Sequence, residues 1–124
     1  MRRTSIAIAG CLASGCITPS IPIPPPDPVL MTFVVTGDGA SSSATFAYPA
    51  NENYRGSLVF VYNRDRGLGI IEATRPDGSV GPTQPVQAAL GEQIVVTFQR
   101  EDQTVSTCVR LRNGTQSSTD YCSL

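Results

Sequence analysis

The sequence predicts an all-β fold, a two-layer sandwich of about seven or eight strands. Three observations carry that expectation. No eleven-residue window places apolar residues at the 3.6-residue spacing of a helix. Short segments rich in Val, Ile, Thr, Phe and Tyr recur at intervals of about 8–14 residues. Gly, Pro, Asn and Asp cluster between those segments, where positive φ or a preset turn start is needed.

The chain begins with a different kind of segment. Met1-Arg2-Arg3 is basic, and residues 4–15 are small and mostly apolar up to Cys16. That run is too short to span about 30 Å of hydrocarbon as a helix, which takes roughly 20 residues, so it reads as a secretory signal over residues 1–15. Leu12-Ala13-Ser14-Gly15-Cys16 resembles the lipobox of bacterial lipoproteins. The resemblance implies cleavage before Cys16 and acylation of its thiol, two or more chains that would hold the product firmly to a bilayer. Ile8-Ala9-Gly10-Cys11 fits the lipobox residue types better, but only seven residues separate it from the arginines, a short apolar run, so Cys11 stands as the alternative. Ile17 follows Cys16, so the aspartate associated with inner-membrane retention is missing, and outer membrane is the expected location.

Residues 16–28 carry ITPSIPIPPPDP after the cysteine. Proline fixes φ and removes backbone donors, so this stretch reads as a semi-rigid polyproline tether of roughly 35–40 Å. The β domain is expected over residues 29–124. Its strands are expected at 30–36, 43–48, 57–62, 68–74, 79–86, 93–99, 104–112 and 118–123. Alternation assigns faces: Met31, Phe33 and Val35 share one, as do Ile94, Val96 and Phe98. The segment 57–62 is apolar on both sides and belongs inside a sheet. Pro82 and Pro85 send the 79–86 strand to an edge. Gly37-Asp38-Gly39 and Pro76-Asp77-Gly78 are turns, and 63–67 is a hairpin loop.

The last two strands allow a sharper expectation. A two-residue Asn113-Gly114 turn would set Cys108 opposite Thr119 and leave Cys122 unmatched. A longer loop over 113–117 sets Cys108 opposite Cys122, Val109 opposite Tyr121 and Arg110 opposite Asp120. That register is preferred, and in an oxidising compartment it predicts a Cys108–Cys122 disulfide.

Residues 56–111 resemble the bacterial immunoglobulin-like modules of surface proteins, and more loosely carboxypeptidase-regulatory-like sandwiches. The resemblance rests on the strand from Gly56 to Asn63, on Glu72-Ala73-Thr74, on the turn Asp77-Gly78-Ser79, and on Gly91-Glu92-Gln93-Ile94-Val95-Val96. Gly91-Glu92 stands where the modules have Gly-Asp, and Pro82 to Pro85 interrupts the strand after the turn. The family implies an immunoglobulin-like sandwich with spacer, adhesive or scaffolding roles and no catalytic residues.

The remaining chemistry is sparse. There is no His, which removes the commonest general base and neutral metal ligand, so no Ser-His-Asp or Cys-His arrangement can be assembled. All nine basic residues are Arg. Without Arg2 and Arg3 seven face ten carboxylates, a net charge of about −3 with no basic patch for nucleic acid. Asp38, Asp65 and Asp77 fall in three separate turns, a poor calcium site. Glu101-Asp102 lies in a hairpin loop without a cleft, and Asn113-Gly114-Thr115 reads as a turn rather than a glycosylation site. No enzyme, cofactor or metal is expected. Tyr62 and Tyr121 are expected beside the core, while Tyr54, with Arg55 next to it, is expected in an exposed loop as the candidate partner-binding site. The sequence thus anticipates a lipid-anchored envelope module with a protein partner, or a stand-alone carbohydrate-binding sandwich.

Overall fold

A strand with one apolar face must bury it, and two sheets do so here against each other. The computed structural model describes residues 22–122. Its strands are β1 (Thr32–Thr36), β2 (Ser43–Ala47), β3 (Leu58–Asn63), β4 (Leu68–Ala73), β5 (Val86–Gln87), β6 (Gln93–Arg100), β7 (Gln103–Arg110) and β8 (Gly114–Thr115). They form two four-stranded antiparallel sheets, ordered β5-β2-β1-β8 and β4-β3-β6-β7. This is an eight-stranded β-sandwich. Its strand arrangement is immunoglobulin-like, with the fourth strand beside the third and β8 added beside β1.

The alternation set the layers as expected. Met31, Phe33, Val59, Val61, Ile94, Val96, Phe98 and Val109 are fully buried. β3 is internal to its sheet, and the 57–62 segment had predicted that. Aromatic rings fill one end of the core: Phe33 lies 5.1 Å from Phe46, and Tyr48 meets Phe98 edge-on at 5.4 Å. The turn at Gly78 has φ +85, and a Cβ there would collide with the Asn51 carbonyl oxygen, so glycine is required on both counts.

Three expectations need correction. The 79–86 strand is not continuous: Val80 makes a single bridge with Tyr48, Thr83 exchanges hydrogen bonds with Phe46 through its N–H and hydroxyl, and ladder pairing resumes at Val86–Gln87. Pro82 and Pro85 supply no donors between them. The 118–123 strand is reduced to one bridge, Val109 with Tyr121, because the chain first crosses to the other sheet as β8. The Asn113 side-chain oxygen accepts the Val35 N–H there at 2.9 Å.

The third concerns the tether. Residues 22–28 do not stand clear of the domain: Ile23, Pro26 and Pro28 are buried. Proline leaves carbonyls free, and the sandwich supplies donors to them. The Tyr54 hydroxyl donates to Pro24 O at 2.6 Å and Thr107 Oγ1 to Pro26 O at 2.6 Å. The Ile23 N–H donates to Gln103 Oε1 and the Asp27 N–H to the Tyr48 hydroxyl. Residues 22–28 therefore belong to the domain rather than to a tether. Residues 1–21, with Cys11, Cys16 and the rest of the expected tether, lie outside the described residues.

The C-terminal register holds where it matters. Cys108 and Cys122 form a disulfide with Cα atoms 5.4 Å apart. The Cys122 N–H donates to the Cys108 carbonyl and the Arg110 N–H to that of Asp120. The expected Arg110–Asp120 ion pair is replaced by Arg112 Nε to Asp120 Oδ2 at 3.0 Å. The Arg110 guanidinium turns instead to the Gly91 carbonyl.

A polar knot closes the opposite end. Asn63 is fully buried; its amide donates to Gln87 O and Glu92 Oε1, and its oxygen accepts the Asp65 and Arg66 N–H groups. Arg66 Nε pairs with Glu92 at 3.0 Å and its guanidinium reaches Gly39 O. Burial pushes the Glu92 carboxyl up, but donors from Ala89, Asn63 and Arg66 outweigh it and hold the group below its ordinary value. A depressed carboxyl stabilises the fold above the unfolded value and ceases to as pH falls through the folded one. Wild type is therefore expected to lose stability below about pH 4.5, and Glu92→Gln is expected to flatten that fall. Urea midpoints at pH 7 and pH 3 read both; a variant that falls as steeply as wild type contradicts the assignment.

Candidate functional site: the outer face of the second sheet

β3 is apolar on both faces, and only one of them is buried. Val59 and Val61 enter the core, while Leu58, Phe60 and Tyr62 point out of the sandwich. Register places Phe60 between Ile71 of β4 and Thr97 of β6. Tyr62 lies between Gly69 and Val95, and Leu58 between Ala73 and Gln99. Among the described residues no element packs over this row: Leu58 is 43% exposed, Tyr62 44% and Ile71 61%, with Phe60 half-buried between them. Arg64 and Arg110 bring charge to one end of the face, while the row Leu58, Phe60, Tyr62 and Ile71 itself carries none.

Gly69 decides how Tyr62 sits. A Cβ at Gly69 would come within 2.7 Å of Val61 O and 3.2 Å of Tyr62 Cδ1, and one at Gly67 within 3.8 Å of the Tyr62 hydroxyl. The ring therefore lies over glycine backbone, one face on the sheet and the other open. A shallow groove of about 240 Å³ runs beside it, lined by Phe60, Tyr62, Gly69 and Ile71.

A larger cleft of about 680 Å³ opens at the β7 border, between the docked proline segment and the disulfide. Asp27, Arg64, Ser106 and Tyr121 line it, and Arg64 Nη1 approaches Cys108 Sγ at 3.6 Å. Tyr121 was expected beside the core because it faces Val109. Val109 is buried, but Tyr121 is 54% exposed, since the chain here makes one bridge rather than a strand with a layer behind it. Tyr62 departs from expectation for a related reason: among the described residues its side of the sheet has no second layer.

Tyr54 is the main correction among the site residues. The Asn51 side-chain oxygen caps a 3₁₀ turn by accepting the Asn53 N–H, and that turn aims Tyr54 inward. It is almost completely buried, stacked on Phe98 with centroids 3.9 Å apart and edge-on to Tyr48 at 5.7 Å. Burial pushes its phenol well above the ordinary value. Tyr54 is a core residue. Arg55 is exposed and borders a separate cleft of about 410 Å³ with Glu52 and Arg100.

The other acidic candidates serve local structure. Asp77 Oδ1 accepts the Ser79 N–H and hydroxyl, and Asp65 Oδ2 accepts the Gln93 N–H. Glu101 and Asp102 are exposed at the β6–β7 turn. The exposed apolar face was missed at the level of sequence, although its signal was present: a strand apolar on both sides, beside a glycine in the next strand. No protein-family model, curated protein or solved structure matches this chain.

Proposed function

We propose that the chain is an exported, lipid-anchored module of a bacterial outer membrane that acts by docking onto an envelope protein and carries out no catalysis. The observation that carries this reading is the uncharged apolar face formed by Leu58, Phe60, Tyr62 and Ile71. Apolar side chains exposed side by side, as Leu58, Tyr62 and Ile71 are, mark an interaction surface more often than the same residues scattered singly. A rigid sheet presents such a patch at little entropic cost, and aromatic anchors at its centre suit a partner surface that is equally apolar and uncharged. The lipobox resemblance at Cys16, or Cys11, supplies the anchor, and the lack of histidine fits a binding role.

A photo-crosslinking residue at position 60 of the full chain, expressed in its membrane, tests this. The expected result is one discrete adduct, absent with the same probe at Thr36 and reduced at least tenfold by Tyr62→Glu. A smear of weak adducts at both positions, or an adduct that Tyr62→Glu leaves intact, overturns it. The open ring face of Tyr62 over Gly69 favours a second reading, stacking on a saccharide of the envelope. Saturable glycan binding lost in Tyr62→Ala, with no protein adduct, would select it.

A further inference from the structure

Sheet edges are hazards that native proteins cover, shorten or charge. Three of the four edges here are managed in that way. The β7 edge is covered by Asp120–Cys122 backbone and by Pro26, β5 is two residues long after Pro85, and β8 is two residues long. β4 is the least protected of the four. It has six residues in unbroken register with β3, and contains no proline, no bulge and no lysine.

Its outward backbone groups can be identified. The Thr74 N–H donates to Ser57 O, so the even-numbered residues of β4 bond to β3. Gly69, Ile71 and Ala73 then point their N–H and C=O groups away from the sheet. All three are exposed, and among the described residues no hydrogen bond to the outer side involves them. Both faces of the strand are apolar at this edge, with Leu68 45% exposed on one side and Ile71 61% on the other. The one charge in β4, Glu72, lies on the core side opposite Val59 and is the strand's single guard against pairing, and its carboxylate is already engaged by the Gln84 N–H.

We infer that β4 pairs with β4 of a second copy of this chain, antiparallel about a two-fold axis through Ile71. Self-complementarity selects this occupant and this register. Ile71 meets Ile71 of the other copy, and Gly69 meets Ala73, so all three outward residues exchange both backbone hydrogen bonds. The same register keeps core and outer faces aligned, opposes a small residue to a small one, and sets Glu72 opposite Ile70 rather than opposite Glu72. It joins the two outer faces into one surface of eight strands with the Tyr62 rings near its centre. A single strand pairing falls below the roughly 1,200 Å² of a stable interface, so association is reversible, and lateral confinement at a membrane would favour it. The inference stands whether or not the outer face docks an envelope protein.

Sedimentation equilibrium of the full chain tests it, with intact mass reporting acylation separately. Wild type is expected to shift from monomer towards dimer as concentration rises into the high micromolar range. Ile71→Lys and Ala73→Pro, both with wild-type circular dichroism, are expected to weaken the shift at least tenfold. Nitroxide labels at Ile71→Cys should report a separation under about 20 Å across the two-fold. A monomer at every concentration, a dimer indifferent to both substitutions, or a monomer that binds an unrelated extended peptide instead would overturn the proposal.

Discussion

Tyr54→Ala is expected to cost about 3–5 kcal/mol of folding stability, a large part of the roughly 5–15 kcal/mol available to a domain of this size. The substitution removes a buried ring stacked at 3.9 Å on Phe98 and in contact with Tyr48, at the meeting point of both sheets and the docked proline segment. The cavity cannot collapse easily, because Phe98 and Tyr48 are themselves held by their strands. Tyr54→Phe separates the ring from its hydroxyl. It keeps the stacking and loses only the bond to Pro24 O, for about 1–2 kcal/mol. Urea unfolding of the three proteins reads both values. A Tyr54→Ala midpoint within about 1 kcal/mol of wild type would return this residue to the surface role that the sequence suggested. The same burial gives a pH signature. A phenol raised above its ordinary value of 10.0 stabilises the fold while both states are neutral, and that contribution is lost as pH rises above about 10.

Opening the Cys108–Cys122 bridge by paired serine substitution is expected to cost about 3 kcal/mol, the chain-entropy value for a loop of this length. The bridge closes a segment that leaves β7, pairs with β1 through β8 and returns to the β7 edge. Gln116 holds the middle of that segment, donating to Arg110 O and accepting the Arg112 N–H, while its own N–H donates to Met31 O. Those bonds keep part of the loop in place, so the variant should fold. What it loses is the cover over β7, and a second open edge is expected to make it aggregate faster than wild type. Denaturation with and without reductant reads the first effect, and light scattering at the transition midpoint the second. Equal stability of wild type and variant would mean the bridge does not constrain the unfolded chain.

The layers of this fold were legible because alternation is a local property. Ile94, Val96 and Phe98 declare a buried face within a single strand, and Met31 and Phe33 do the same. The Cys108–Cys122 register was legible because a thiol pair and an apolar pair point to the same loop length. Tyr54 was misread for a complementary reason. It stands among Asn51, Glu52, Asn53 and Arg55, and polar neighbours say nothing about a side chain that a 3₁₀ turn aims inward. The prolines at 22–28 were read by their missing donors, while their carbonyls were the groups that bonded.

By itself the sequence determined that the chain is β-structured, which strand faces are apolar, and where one covalent bridge closes, since each depends on period, turn chemistry or spacing along the chain. Tertiary structure alone decided which apolar face finds a second layer. Leu58, Phe60 and Tyr62 are as apolar as the residues facing the core, yet among the described residues no element crosses over them, and none of those residues returns to pair with the outer edge of β4. Burial needs a partner surface, and whether one arrives depends on the path of distant segments rather than on the residues left exposed.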